Sequence, residues 1–141
     1  MLGFLSILTF ACTEEPKEEV AKSEKEVKPL NPNGDSELAL LMRIMADEVT
    51  AIQKAIKKGE KLGELSDYST INTATATKEN MKSDAYQSYA AAYLVRVDEF
   101  KAADEANKAQ TFNTLVDACM NCHEVSCPGP MVRIEKMYVK K

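Results

Sequence analysis

Apolar residues recur along much of this chain at alternating steps of four and three, the spacing that aligns one face of an α-helix. The clearest run is Leu38, Met42, Met45, Val49, Ile52 and Ile56, which predicts a helix over 36–58. Asp35 or Ser36 can cap its first turn, and Gly59 ends it, with Lys57 and Lys58 placed where cations suit the exposed carbonyls. The rhythm returns at Tyr86, Ala90, Tyr93, Val97 and Phe100, predicting a helix over 84–103. It returns again at Phe112, Leu115, Val116, Cys119 and Cys122, in a helix beginning near 106. Cys127-Pro128-Gly129-Pro130 must stop that helix. Beyond it, Met131, Ile134, Met137 and Tyr138 fit one or two short amphipathic turns. The weakest stretch is 62–82: Leu62, Leu65, Tyr68 and Ile71 keep a helical spacing, but 70–77 is rich in threonine, a poor helix former. A short helix over 65–78 is expected there, with 78–83 as the connection.

Two N-terminal segments lack this pattern. Residues 2–11 form an apolar run, too short to span a bilayer but suited to a signal-peptide core, and Ala11 precedes Cys12. The arrangement resembles a bacterial lipoprotein signal, which implies cleavage before Cys12 and a lipid on that cysteine. Residues 13–29 carry many charges of both signs and almost nothing to bury, as a solvated tether would. The expected organisation is therefore a signal peptide at 1–11, a lipid-anchored charged linker at 12–34 and one folded domain at 35–141.

The chain has 141 residues, 45% of them hydrophobic, which allows one modest core and no second domain. Its net charge of −4 argues against nucleic acid or an anionic membrane surface as an electrostatic partner. Tryptophan is absent and aromatic residues make up only 6%, so aliphatic side chains, methionine and alanine must build the interior. With glycine and proline sparse after residue 35, this favours an all-α fold. The four cysteines, at 12, 119, 122 and 127, are too few and too crowded for a disulfide framework.

Three of those cysteines surround the sharpest motif, Cys119-Met120-Asn121-Cys122-His123. Cys-x-x-Cys-His is the attachment signature of a c-type haem: the thiols bond to the porphyrin vinyl groups and the imidazole ligates iron. On a helix the three side chains are three and four residues apart and point from the same face. His123 is the only histidine, so a second histidine ligand is ruled out. Two other chemistries use these residue types. Cys119, Cys122, Cys127 and His123 form a nominal zinc set, but adjacent Cys122 and His123 on a helix do not readily converge on one small tetrahedral ion. A thioredoxin-like dithiol would want alternating strands and helices, which the pattern lacks. Haem is the expectation, with a zinc-stabilised interaction module as a third class. No nucleophile, general base or substrate pocket is evident, so a carrier is expected and not an enzyme.

With this signature on the last of four predicted helices, the sequence resembles the class II c-type cytochromes, the four-helix-bundle family of cytochromes c-prime and their low-spin relatives. The pieces that carry the resemblance are Leu41-Met42-Arg43-Ile44-Met45 followed by Lys58-Gly59-Glu60, and Phe112 through His123. The ending Cys-His-Glu-Val-Ser-Cys-Pro-Gly-Pro, with Arg133-Ile134, looks like the tail of small bacterial members. The resemblance implies an antiparallel four-helix bundle with one haem c attached on the C-terminal helix through Cys119 and Cys122, and iron ligated by His123. It also implies that a first-helix residue faces the iron from the other side: methionine in the low-spin electron carriers, apolar in the five-coordinate, gas-binding members. That position falls on Met42, with Met45 one turn along the stripe as the alternative; without a cofactor, either would be read as core.

The implied function is single-electron transfer between redox partner proteins on the periplasmic side of a bacterial membrane. The alternative is a five-coordinate gas-binding or sensing protein. A homodimer is compatible with either. Bacterial haem attachment resembles a process completed outside the cytoplasmic membrane, so the export signal and the haem signature support each other. Cys127 reads as a small apolar side chain near the haem edge or as a redox thiol. Tyr86, Tyr89 and Tyr93 read as core, and Arg133, Lys136, Lys140 and Lys141 as a solvated basic end, one of which could pair with a haem propionate.

Overall fold

Helix α1 spans Glu37–Lys58, with Ser36 Oγ accepting from the Ala39 N–H at its start. Gly59 closes it at φ 64°, a left-handed conformation that suits glycine, and its N–H reaches the carbonyls of Ala55 and Ile56. These coordinates come from a computed structural model that describes residues 34–140. The expected signal peptide, the lipidation site at Cys12 and all but the last residue of the expected linker lie outside the described residues. Within them the fold is all-helical, with α1 followed by α2 (Asp84–Ala102), α3 (Lys108–Ser126) and α4 (Met131–Glu135), and no strand. No helix among the described residues is long and apolar enough to cross a membrane.

The predicted stripes are the buried faces. On α1, Leu38, Met45, Val49 and Ile52 are buried, and Met42 and Ile56 pack against the core half-buried. All five predicted positions of α2 are buried, and on α3 Phe112, Leu115 and Val116 have no exposed surface. Phe100 of α2 meets Phe112 of α3 edge to face with ring centroids 5.9 Å apart, a favoured aromatic geometry. Two amide side chains fix the C-terminal segment to this core. Gln53, buried on α1, donates to the carbonyls of Lys136 and Tyr138 at 2.7 and 3.0 Å. Asn113 on α3 exchanges two hydrogen bonds with the backbone of Val139, each 2.9 Å.

The helix expected over 65–78 does not form. That stretch is irregular, with one 3-10 turn at Ser69–Asn72 and a second beyond it at Glu79–Met81. It still buries Leu65, Tyr68, Ile71 and Ala74, a spacing of three that a helix would also produce. The reason lies in where its backbone hydrogen bonds go. Glu48 of α1 takes the Ser66 N–H at 2.8 Å, Glu37 takes that of Thr75 at 2.9 Å, and the Thr75 carbonyl accepts from Leu38 at 3.0 Å. Asp67 folds back on the Ser69 N–H, and Tyr86 and Lys82 supply donors to the carbonyls of Ile71, Asn72 and Ala74. Side chains of neighbouring helices satisfy groups that an α-helix would have paired internally, and the threonine-rich sequence offers little helix propensity to oppose them.

Candidate functional site

The side chain of His123 is set by the way α3 ends. The Cys127 N–H bonds to the His123 carbonyl at 3.0 Å, and Cys127 leaves the helix before the Pro-Gly-Pro group. The Cys127 carbonyl turns back to lie 2.9 Å from His123 Nδ1. A carbonyl can only accept, so Nδ1 is the donor in this contact, and in the neutral ring Nε2 then carries the lone pair. Metal-ligating imidazoles are held in this way, with one ring N–H committed to a backbone oxygen.

His123 and Cys122 border a cavity of about 300 Å³, at the lower end of the size range of small-molecule and cofactor sites. Helix α1 contributes Leu38, Ala39, Met42, Arg43 and Ala46; the turn before α2 contributes Met81; and the segment after α3 contributes Cys127, Arg133, Ile134 and Met137. Two of the five α1 wall residues, Ala39 and Ala46, are small. Met42 and His123, far apart in sequence, thus line one apolar cavity. Met45 is buried in the packed core, 6% exposed, and does not line the cavity. Met81 and Met137 do line it, although no helical stripe singled them out as neighbours of the motif.

Cys119 is placed differently from Cys122. It is not among the cavity-lining residues and packs half-buried against the core. One helical turn separates it from His123, about 6 Å along the axis. Burial, reinforced by Cys122, pushes the Cys119 thiol up to about 12, and burial also raises Cys122. The structure therefore brings Met42, Cys122, Cys127 and His123 to one cavity and leaves Cys119, one turn earlier on α3, packed against the core outside it.

Comparison with known proteins gives no significant match. No protein-family model, curated protein or solved structure matches the chain. The site must be judged on its own donors. Among the described residues no group of three or more His, Cys, Asp or Glu side chains is placed to hold a metal ion, so the nominal zinc set of Cys119, Cys122, Cys127 and His123 does not converge. The cavity gathers an imidazole, a buried thiol and a thioether from a different helix among largely apolar walls, a donor set compatible with a planar cofactor, while Cys119 is not among its lining residues. Sequence reasoning missed Arg43, Met81 and Met137 as wall residues. For Arg43 a signal existed, since it adjoins Met42; for the other two the signal needs the path of 59–83 and of α4.

Proposed function

We propose that this protein is a monohaem c-type cytochrome that passes single electrons between redox partner proteins outside the cytoplasmic membrane, tethered through a lipid at Cys12. In this reading the domain is an antiparallel four-helix bundle, a class II-like cytochrome, with the irregular belt 59–83 in place of one long helix. The short connection between α2 and α3 at 103–107 supports reversal of chain direction there. One observation carries the functional reading: Met42 of α1 lines the same apolar cavity as Cys122 and His123 of α3.

When bound, haem c supplies a one-electron iron couple, with methionine and histidine ligation favouring the electron-carrying state. The chain's own residues do the rest. Cys119 and Cys122 would hold the macrocycle covalently, and because only Cys122 lines the cavity, attachment would need the Cys119 thiol to turn toward it. His123, oriented by the Cys127 carbonyl, and Met42 would hold the iron, and the apolar walls would exclude water. No residue is assigned to bond-making on a substrate, so the protein is proposed as a carrier.

The test is maturation of the full chain in a host competent for c-type haem attachment, followed by intact-mass measurement under denaturing conditions. A mass increase of one haem in the wild type, lost in a Cys119→Ala/Cys122→Ala variant, supports the reading. An unmodified chain that instead retains zinc would overturn it. Met42→Ala should then convert the reduced protein from low-spin to high-spin, while Met81→Ala leaves it low-spin.

A further inference from the structure

Sulfur is concentrated at one place in the fold. Three of the chain's seven methionines, Met42 of α1, Met81 of the turn before α2 and Met137 after α4, line the cavity that Cys122 borders. Met137 and Cys122 are buried, at 5% and 8% exposure, and Met42 and Met81 are half-buried. No aspartate or glutamate lines the cavity, and its two arginines, Arg43 and Arg133, are held by Asp35 and Asp47, which lie outside it. A divalent ion there would find no carboxylate ligand and no compensating charge, and burying it unpaired is costly. Soft thioether and thiolate sulfurs instead select monovalent copper, and a single thiolate neutralises it. We propose that Met42, Met81 and Met137, with Cys122 as thiolate, bind a single Cu(I) ion in the chain before haem attachment.

The copper site goes beyond the haem assignment and does not depend on it. Because Met42 and Cys122 serve in both, copper and haem exclude each other. The site is also consistent with the failure of the zinc set. A structural zinc ion wants four ligands, chiefly His and Cys, and these do not converge among the described residues; the thioethers add donors from three separate segments. Methionine's unbranched, flexible side chain lets its sulfur close on an ion smaller than the cavity. Ser126, one turn beyond Cys122 on α3, also lines the cavity, and its hydroxyl is buried without a hydrogen-bond partner among the described residues. It is a free donor on the same helix face as the Cys122 sulfur. On binding, the Cys122 thiol releases its proton to solvent and a Cu–S bond forms, with no change of oxidation state.

The test is a competition for Cu(I), under reducing and oxygen-free conditions, between bicinchoninate, whose copper complex is coloured, and the full-length chain produced without haem. Every chain carries Cys12→Ser, so that the thiol outside the described residues takes no part. The parent chain is expected to withdraw a single equivalent of copper from the dye. Met42→Leu/Met81→Leu/Met137→Leu keeps side-chain volume and removes the thioethers. This variant and Cys122→Ser should each weaken binding by at least about tenfold, at equal helix content by far-UV circular dichroism. Cys119→Ser, outside the cavity, should leave the affinity unchanged. Should the triple variant lose helix, Met81→Leu alone is expected to weaken binding by a few fold. Undiminished binding by the thioether variant or by Cys122→Ser would overturn the assignment. So would a loss in Cys119→Ser equal to that in Cys122→Ser, which would put the ion on the two motif thiols, and so would a parent chain that leaves all the copper with the dye. Each of these results leaves the haem reading standing, because that reading is decided by the mass of the matured chain.

Discussion

The two ends of α3 use one helical stripe for opposite purposes. At the first end Phe112, Leu115 and Val116 are fully buried against a wall that includes Phe100 of α2. At the other, Cys122 and His123 face a cavity whose α1 wall includes Ala39 and Ala46. The helix periodicity is the same in both; what differs is the Pro-Gly-Pro break, which ends α3 and turns the chain back beside the second end. Close packing stabilises one end, while the hollow at the other gives up packing contacts and gains a place for a ligand.

Large-to-small changes at the two ends should separate them most sharply. Phe112→Ala removes a fully buried ring and is expected to cost about 3–5 kcal/mol, read as a drop in the urea midpoint at unchanged slope. Met42→Ala, at the edge of a pre-existing cavity, should cost far less, on the order of 1 kcal/mol. Equal losses would mean that the cavity end is as tightly packed as the core.

The belt that replaces the expected helix is next. Tyr86 donates to the Ile71 carbonyl at 2.7 Å in a buried setting. Tyr86→Phe leaves that carbonyl unpaired and should destabilise by about 1–3 kcal/mol, measurable in the same denaturant titration.

A smaller effect is expected at Glu48. Burial opposes ionisation of this carboxyl, but the Ser66 hydroxyl and N–H and the Tyr68 hydroxyl outweigh it and hold Glu48 below its ordinary value of 4.5. The unfolded chain therefore binds more protons there than the folded protein. The resulting stabilisation is complete above the ordinary value and is lost as pH falls through the lowered one. Thermal melts across this acid range should show a shallower loss of Tm in Glu48→Gln than in the wild type. A parallel loss in both would mean that other carboxylates govern the acid limb.

The smallest change carries the opposite sign. The Tyr93 hydroxyl is buried and makes no hydrogen bond to the described residues. Tyr93→Phe should therefore leave the Tm unchanged or raise it, with a gain of up to about 1 kcal/mol; a clear decrease would reveal a partner for that hydroxyl.

Where hydrophobic period and local chemistry agreed, the sequence was a good guide. The run from Leu38 to Ile56 between Ser36 and Gly59 predicted α1 to within a residue, and every predicted core position of α2 is buried. At Leu65, Tyr68 and Ile71 the period alone misled, because a belt of 3-10 turns pinned by Glu37, Glu48 and Tyr86 buries the same positions as a helix would. The site was legible in part. Cys122 and His123 could be named from their spacing, and Met42 from the resemblance, but nothing local distinguishes Met42 from Met45. That distinction depends on the cavity, which Met42 lines and Met45 does not. The different setting of Cys119, packed against the core and outside the cavity, was equally hidden, since its spacing from Cys122 and His123 is that of one helix face.

The proposed cytochrome depends on His123 and Met42 holding one haem iron from two helices. The most direct test is the visible spectrum of the reduced, haem-loaded protein with and without carbon monoxide. The account predicts sharp low-spin bands that carbon monoxide leaves unchanged; a high-spin spectrum that shifts on adding the gas would contradict it.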